Sequence, residues 1–321
     1  MGPENKQESS RETVKLDGTP DTAAQVIRNI VVQAKLADEL GLANFNIGEH
    51  HRDDFAVSAP DTVLAGIATV TNNITLGTGV TVLSSEDPIR VYQQFATIDA
   101  LSSGRAEITA GRGSFTESFP LFGYELADYA DLFEEKLELL VELLKEGPVS
   151  WTGKHTPTLR NQQVYPKTEG GSMPLRVGVG GSPESVIRAA RLDANLALAI
   201  IGGDPARFAP YAKLYYDALD QMHKPHRPIS IHSPGHIADT DEQAIEEMWP
   251  AYQAAFGRIG RERGWPPVQK ANFLNEVEHG SLSWCRAAGD EGCTVRLTGY
   301  AVLTGEAARG FIRDYPVRRL N

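Results

Sequence analysis

Cysteine is almost missing from this sequence: Cys285 and Cys293 are the only two in 321 residues, and both lie near the C-terminal end. Two cysteines build neither a disulfide framework nor a zinc site on their own, so a reducing cytoplasm is the expected compartment. Positive charge is also short. Lys and Arg total 31 against 42 Asp and Glu, a formal net charge of −11. A surface that acidic does not attract phosphate backbones, which argues against a nucleic-acid partner. No apolar run is long enough to span a bilayer, and the segment from Met1 to Leu16 lacks the apolar stretch of a secretory signal, so no membrane association is expected. What remains, with 41% hydrophobic and 23% charged residues, is the balance of a globular protein.

Within that balance a rhythm is present. Residues 1–21 are polar and aperiodic and read as a flexible arm. From Thr22 a helical pattern carries Val26, Ile27, Ile30, Val31, Ala34 and Leu40 on one face and stops at Gly41. Short apolar runs then alternate with helical patterns. The runs are Ala43–Ile47, Ile74–Leu83, Ala106–Ala110, Leu175–Val179, Leu196–Ile201 and Ile229–His232, and prolines 88, 183 and 205 open three of the helices. Alternation of this kind means βαβ units and a parallel sheet buried on both faces. The length, and the lack of a G-x-G-x-x-G turn after the first run, favour a (β/α)8 barrel over an open doubly wound sheet. Only six strands and seven helices are legible, so the barrel is expected to be incomplete at its first and last strands. The barrel domain is assigned to residues 22–282.

The tail, 283–321, differs in composition. After Ser281 there are six arginines, no lysine and both cysteines, and the apolar residues keep no helical period, although Cys293–Val302 could pass for a strand. One reading of the tail is a change of reading frame in the gene, which predicts a poorly closed barrel, low stability and weak activity. Thr152–Ser172 is the one long turn-rich insertion, a kind of segment that often covers a barrel's active site.

Catalytic groups in such barrels sit at the C-terminal ends of the strands. The first run ends in Gly48-Glu49-His50-His51-Arg52. Adjacent side chains on a strand point to opposite sides, so the two histidines cannot chelate one metal; one of them should face the mouth as an acid/base group. Gly77-Thr78-Gly79-Val80 interrupts an apolar strand, which suggests a bulge or a flat ligand against the backbone. Gly111-Arg112-Gly113 places an arginine where it can reach a phosphate. Gly180-Gly181-Ser182-Pro183-Glu184-Ser185 reads as a capped helix start, and its free N–H groups with two hydroxyls form an anion site. His232 and His236 have no third ligand at a sensible spacing, and no metal is expected. The run Gly257–Pro267 reads as a solvated loop or subunit contact, and Glu134, Glu135 and Glu138 as a wet helix face.

Taken together, Glu49-His50-His51, Gly77-Thr78-Gly79, Ser102-Ser103-Gly104-Arg105, Gly111-Arg112-Gly113 and Gly181-Ser182-Pro183-Glu184-Ser185 stand in an order and spacing that resembles the bacterial luciferase-like flavin monooxygenases, from about Ala24 to Leu282. The resemblance implies a (β/α)8 barrel, reduced FMN or in some members a deazaflavin, and a homodimer. It implies that His50 is the active-site histidine and that Thr78, Gly79 and Val80 lie against the flavin ring, with a non-proline cis peptide at Gly79-Val80. It also implies that Arg112, Ser182 and Ser185 take the phosphate, with Glu49, Gly180 and Gly181 completing the cofactor site. Gly111 stands where light-emitting members carry a cysteine, so no luminescence is expected, and Ala130 stands where some members have a second phosphate arginine. The expected activity is monooxygenation of an apolar substrate by reduced FMN and oxygen, supported by a separate flavin reductase, with Phe115, Phe119 and Ile200-Ile201-Gly202-Gly203 shaping the pocket. The alternatives are a deazaflavin-dependent dehydrogenase and a flavin-binding protein without catalysis.

Overall fold

The fold is that of a computed structural model, which describes residues 21–113, 115–201, 205–233, 241–278 and 294–297. Residues 1–20 of the N-terminal arm, Gly202, Gly203, His236 and nearly all of the tail lie outside the described residues. Helix α1 (Ala23–Glu39) begins where Thr22 accepts the Gln25 amide, and it ends before Gly41 at φ +77°. Strand β1 (Asn44–Ile47) leads to α2 (Pro60–Ala68). Strands β2 (Thr75–Thr78) and β3 (Thr81–Val82) are two pieces of one sequence run, followed by α3 (Pro88–Ser102), whose start is capped by Asp87 accepting from the Ile89 and Arg90 amides. Then come β4 (Ile108–Gly111), α4 (Ser118–Phe122) and α5 (Tyr129–Leu144). The hairpin β5 (Val149–Trp151) and β6 (Leu159–Gln162) precedes β7 (Leu175–Val179), α6 (Pro183–Arg191) and β8 (Asn195–Ala199). The chain continues through α7 (Ala209–Gln221), β9 (Ile229–Ser233), α8 (Asp241–Arg263), α9 (Lys270–Glu278) and β10 (Thr294–Leu297).

All strands except the β5–β6 hairpin pair in parallel, as successive βα units require. The order is β10-β9-β8-β7-β4-β3, and β2, which carries β1 on its other side, joins β4 through a bridge between Leu76 and Ala106. Strand β10 also comes against β1, so the strands run round a barrel. Thr294–Leu297, within the Cys293–Val302 stretch that could pass for a strand, pairs with Ser230–Ser233 and covers the edge of β9. The short stretch forms because parallel pairing needs backbone groups, not a chosen side-chain set.

Side-chain alternation divides each strand. Ile108, Ala110, Val177, Val179, Leu196 and Leu198 turn outward and are buried under the helices with Leu64, Ile67, Phe95 and Leu140. The opposite faces carry small and polar residues, including Asn46, Gly77 and Thr109, and a Glu107–Arg176 ion pair at 3.1 Å. The Thr152–Ser172 insertion is not featureless. Its first half is the turn of the β5–β6 hairpin, which is fixed against α5 because Glu135 accepts the amides of Lys154, His155 and Thr156 and the Thr156 hydroxyl. Glu135 is therefore no wet face, and Glu134 and Glu138 pair with Arg188 and Arg191 of α6.

Candidate active site

Because the strands are parallel, their C-terminal ends gather Gly48–Arg52, Gly79–Val80, Gly111–Gly113 and Gly180–Ser182 at one mouth. At the end of β1 the two histidines part as alternation demands. His51 turns to Glu49, its Nε2 3.0 Å from Oε1, while the other Glu49 oxygen accepts the Val82 amide at 2.8 Å. Glu49, expected in the cofactor site, thus spends both oxygens inside the protein. The hydrogen bond to Glu49 raises the His51 pKa above the ordinary value. His50 goes the other way. Its ring folds back over Gly48, where a Cβ would lie 3.1 Å from Nε2, and stacks on Phe55 at 3.9 Å between centroids with Phe115 edge-on at 5.3 Å. Burial among these rings pushes its pKa down to about 4, with Asp54 and Glu117 pulling upward and Arg52 and His51 downward. Among the described residues neither ring nitrogen of His50 has a hydrogen-bond partner. A neutral imidazole with a free nitrogen can take a proton from, or return one to, a bound molecule.

Next to His50 the sequence run 74–83 breaks. The Gly79-Val80 peptide is cis, as expected, and the Thr78 and Thr81 hydroxyls meet at 2.8 Å across it. The Val80 side chain then lies on the backbone of two neighbouring strands. A Cβ at Gly111 would come within 2.6 Å of it, and one at Gly178 within 3.0 Å. The glycines of β4 and β7 are what let this surface be flat.

Across the mouth, Ser182 caps α6 by accepting the Ser185 amide at 3.3 Å, and Gly180 has open space where a Cβ would point. Gly181, at φ +127°, is held by a hydrogen bond that Tyr211 donates to its carbonyl. Ser185 is buried and accepts from Arg188. An anion is already placed here: the Glu184 carboxylate folds back onto the helix start, where its own amide and the Ser182 hydroxyl hold its pKa down, with Arg112 contributing. Arg112 itself lies over the Tyr129 ring at 5.3 Å and makes no hydrogen bond among the described residues. An idle guanidinium, an open glycine and a helix start that attracts a carboxylate fit a phosphate group. The residues of the two ends, with the flat surface between them, fit a flavin phosphate.

A model of the luciferase-like monooxygenases matches residues 13–288. The chain belongs to that family. It is 29% identical over 226 residues to the N-acetyl-S-alkylcysteine monooxygenase of Bacillus subtilis (strain 168), a match that takes in 70% of this chain and 64% of that one, a little under two thirds of the relative's length. Among solved structures it superposes on the oxygenating constituent of 3,6-diketocamphane monooxygenase from Pseudomonas putida, in complex with FMN, at a TM-score of 0.70 with 17% identity and 88% of each chain covered. It superposes equally, at a TM-score of 0.70 with 16% identity, on an F420-dependent secondary alcohol dehydrogenase, over 89% of this chain and 93% of that one. These two likenesses carry the barrel fold.

Sequence reasoning missed one part of the mouth. Arg52, Asp53, Asp54 and Glu117 join Arg258 and Glu262 of α8, from the run that the sequence reads as a solvated loop or subunit contact. Consecutive charges at 52–54 were the available signal, but their partners lie more than 200 residues away. Phe119, expected in the pocket, is instead buried against Tyr124 and Tyr129, and of that pair only Phe115 meets His50. Asp128, Asp131 and His155 could approach a cation, but the Lys154 ammonium stands 3.5 Å from Asp128 and 3.9 Å from Asp131. Among the described residues no helix is long and apolar enough to cross a membrane.

Proposed function

We propose that the protein is a flavin-dependent monooxygenase that uses reduced FMN and oxygen on an apolar organic substrate. The observation that carries this reading is the pairing of two unlike ends at one mouth: a half-buried His50 with no hydrogen-bond partner among the described residues on one side, and an anion-ready α6 start with Arg112 on the other. Arg112, Ser182 and the glycines 180 and 181 would hold the phosphate. Val80, lying on Gly111 and Gly178, would support the ring. Reduced flavin, when bound, supplies the electrons for oxygen chemistry, and the protein supplies orientation. His50 would hold or move a proton at its free ring nitrogen, and Phe55 and Phe115 would fix the orientation of its ring. The cysteine-poor sequence fits a cytoplasmic location, and membership of the family supports a homodimer served by a separate flavin reductase.

A titration with reduced FMN and with reduced deazaflavin tests the cofactor, and oxygen uptake tests the reaction. FMN binding with oxygen consumption supports the proposal. Deazaflavin binding without oxygen use makes the protein a dehydrogenase, and flavin binding without turnover makes it a non-catalytic flavoprotein. His50→Ala should lower turnover roughly 100-fold with flavin affinity nearly unchanged, because a proton-transfer group acts mainly in the transition state. Equal losses in both would remove His50 from the chemistry.

A further inference from the structure

The charged cluster beside His50 has a hub. Arg52 is 5% exposed at its side chain, and each of its N–H groups is used. Nε and Nη2 donate to the two Asp54 oxygens at 2.9 and 3.2 Å; Nη1 donates to Glu117 at 2.6 Å and to Glu262 at 2.8 Å; and Nη2 also donates to Glu262 at 2.9 Å. Five bonds saturate a guanidinium. The three carboxylates come from three places: the loop after β1, the loop after β4 and the last turn of α8. Arg258, one turn earlier in α8, repeats the tie by pairing with Asp53, Asp54 and Glu262. The Arg52 guanidinium also lies 4.6 Å from the Phe115 ring, Arg263 approaches the same ring at 5.6 Å, and that ring stands edge-on to His50.

We infer that Arg52 is a positioning residue: it pins the end of α8 and the Phe115 loop against the end of β1 and so holds the aromatic rings over His50, limiting the access of water to it. Its N–H groups are all used within the protein, and it acts through Phe115. The inference rests on the reading of His50 as the proton-transfer group for its meaning, but not for its test.

The test is an NMR titration of the His50 ring in the full chain without flavin, with His50→Gln used to assign the resonance. The groups facing this imidazole are Phe55, Asp54, Arg52 and His51 from the β1 end and Phe115 and Glu117 from the β4 loop. Glu262→Ala removes the α8 anchor. By charge alone, deleting a carboxylate lowers a nearby histidine's pKa or leaves it unchanged; by admitting water, it raises it. The expected result is a rise of the midpoint from about 4 toward the ordinary 6.5. Arg52→Lys, which keeps the charge but not the fork, should give a smaller rise in the same direction. A Glu262→Ala protein that melts cooperatively and still titrates near 4 overturns the inference, even if Arg52 variants fail to fold. A raised midpoint in a protein that binds no reduced FMN leaves Arg52 in this role and overturns the functional proposal instead.

Discussion

Two arginines stand at the same barrel mouth in opposite conditions. Arg52 is buried, with five hydrogen bonds to three carboxylates, and Arg112, on the β4 side, makes none among the described residues and rests on a tyrosine ring. A buried guanidinium that is fully paired has nothing left to offer a ligand; one that has no hydrogen-bond partner among the described residues and stands beside a helix start can meet an anion, as the proposed phosphate site requires. The difference separates a part of the mouth that the protein completes by itself from a part that a bound anion would complete.

The largest effect that would test this division is on folding. Arg52→Ala takes from buried Asp54 one of its two arginines, leaving Arg258 at 3.2 Å, and breaking a buried pair outright costs about 3–5 kcal/mol. The lower end is expected, because Glu117 and Glu262 reach solvent and can rehydrate. Urea unfolding should show this loss for Arg52→Ala and little change for Arg112→Ala. The next effect is on binding. Arg112→Ala should weaken FMN by about 1.5–3 kcal/mol, the worth of a charge-assisted hydrogen bond, while riboflavin affinity stays put; parallel losses in a fluorescence titration would mean that the guanidinium does not meet the phosphate.

A third test uses the two adjacent histidines. His50 has a folded pKa below that of the unfolded chain, so the unfolded state takes up its proton first as pH falls. The stability that neutral His50 contributes is full above about 6.5 and drains away toward pH 4. For His51, raised by Glu49, the sign reverses: its contribution is full below 6.5 and is lost as pH rises through its folded value. Stability profiles of His50→Phe and His51→Phe should therefore flatten opposite limbs, and flattening of the same limb would contradict the two environments. The smallest effect concerns Glu184, whose exposed carboxylate occupies the α6 start. Glu184→Gln should tighten inorganic phosphate or FMN binding by a small factor, and weakening would show that the carboxylate helps to build the site.

Most of the barrel was legible because its signals are local. Leu175–Val179 was read at the bounds the structure gives, since a strand buried on both faces is apolar throughout. Thr22, Ser182 and Pro183 marked helix starts through chemistry that acts within three residues. The interruption at Gly79-Val80 was marked by glycines inside an apolar strand, and the separation of His50 from His51 followed from strand alternation. The α8 cluster was hidden because charge runs look alike whether they meet solvent or a partner, and Arg258 finds Asp53 only after the whole barrel has closed. Glu135 was misread for the same reason, its four donors lying 19 to 21 residues ahead in a hairpin that carried no strong pattern of its own.

The contact of Val80 with Gly111 and Gly178 has a consequence for the paths by which this sequence can change. A side chain at 111 has no room while Val80 keeps both methyl groups, since its first carbon would already lie 2.6 Å from one of them. A smaller residue at 80 opens that room. The order of substitution therefore matters: the change at 80 must come first, and any lineage that reverses the order passes through a crowded intermediate. Directed evolution of this pocket will find 111 intolerant until 80 is varied with it, so the two positions are best randomised as a pair.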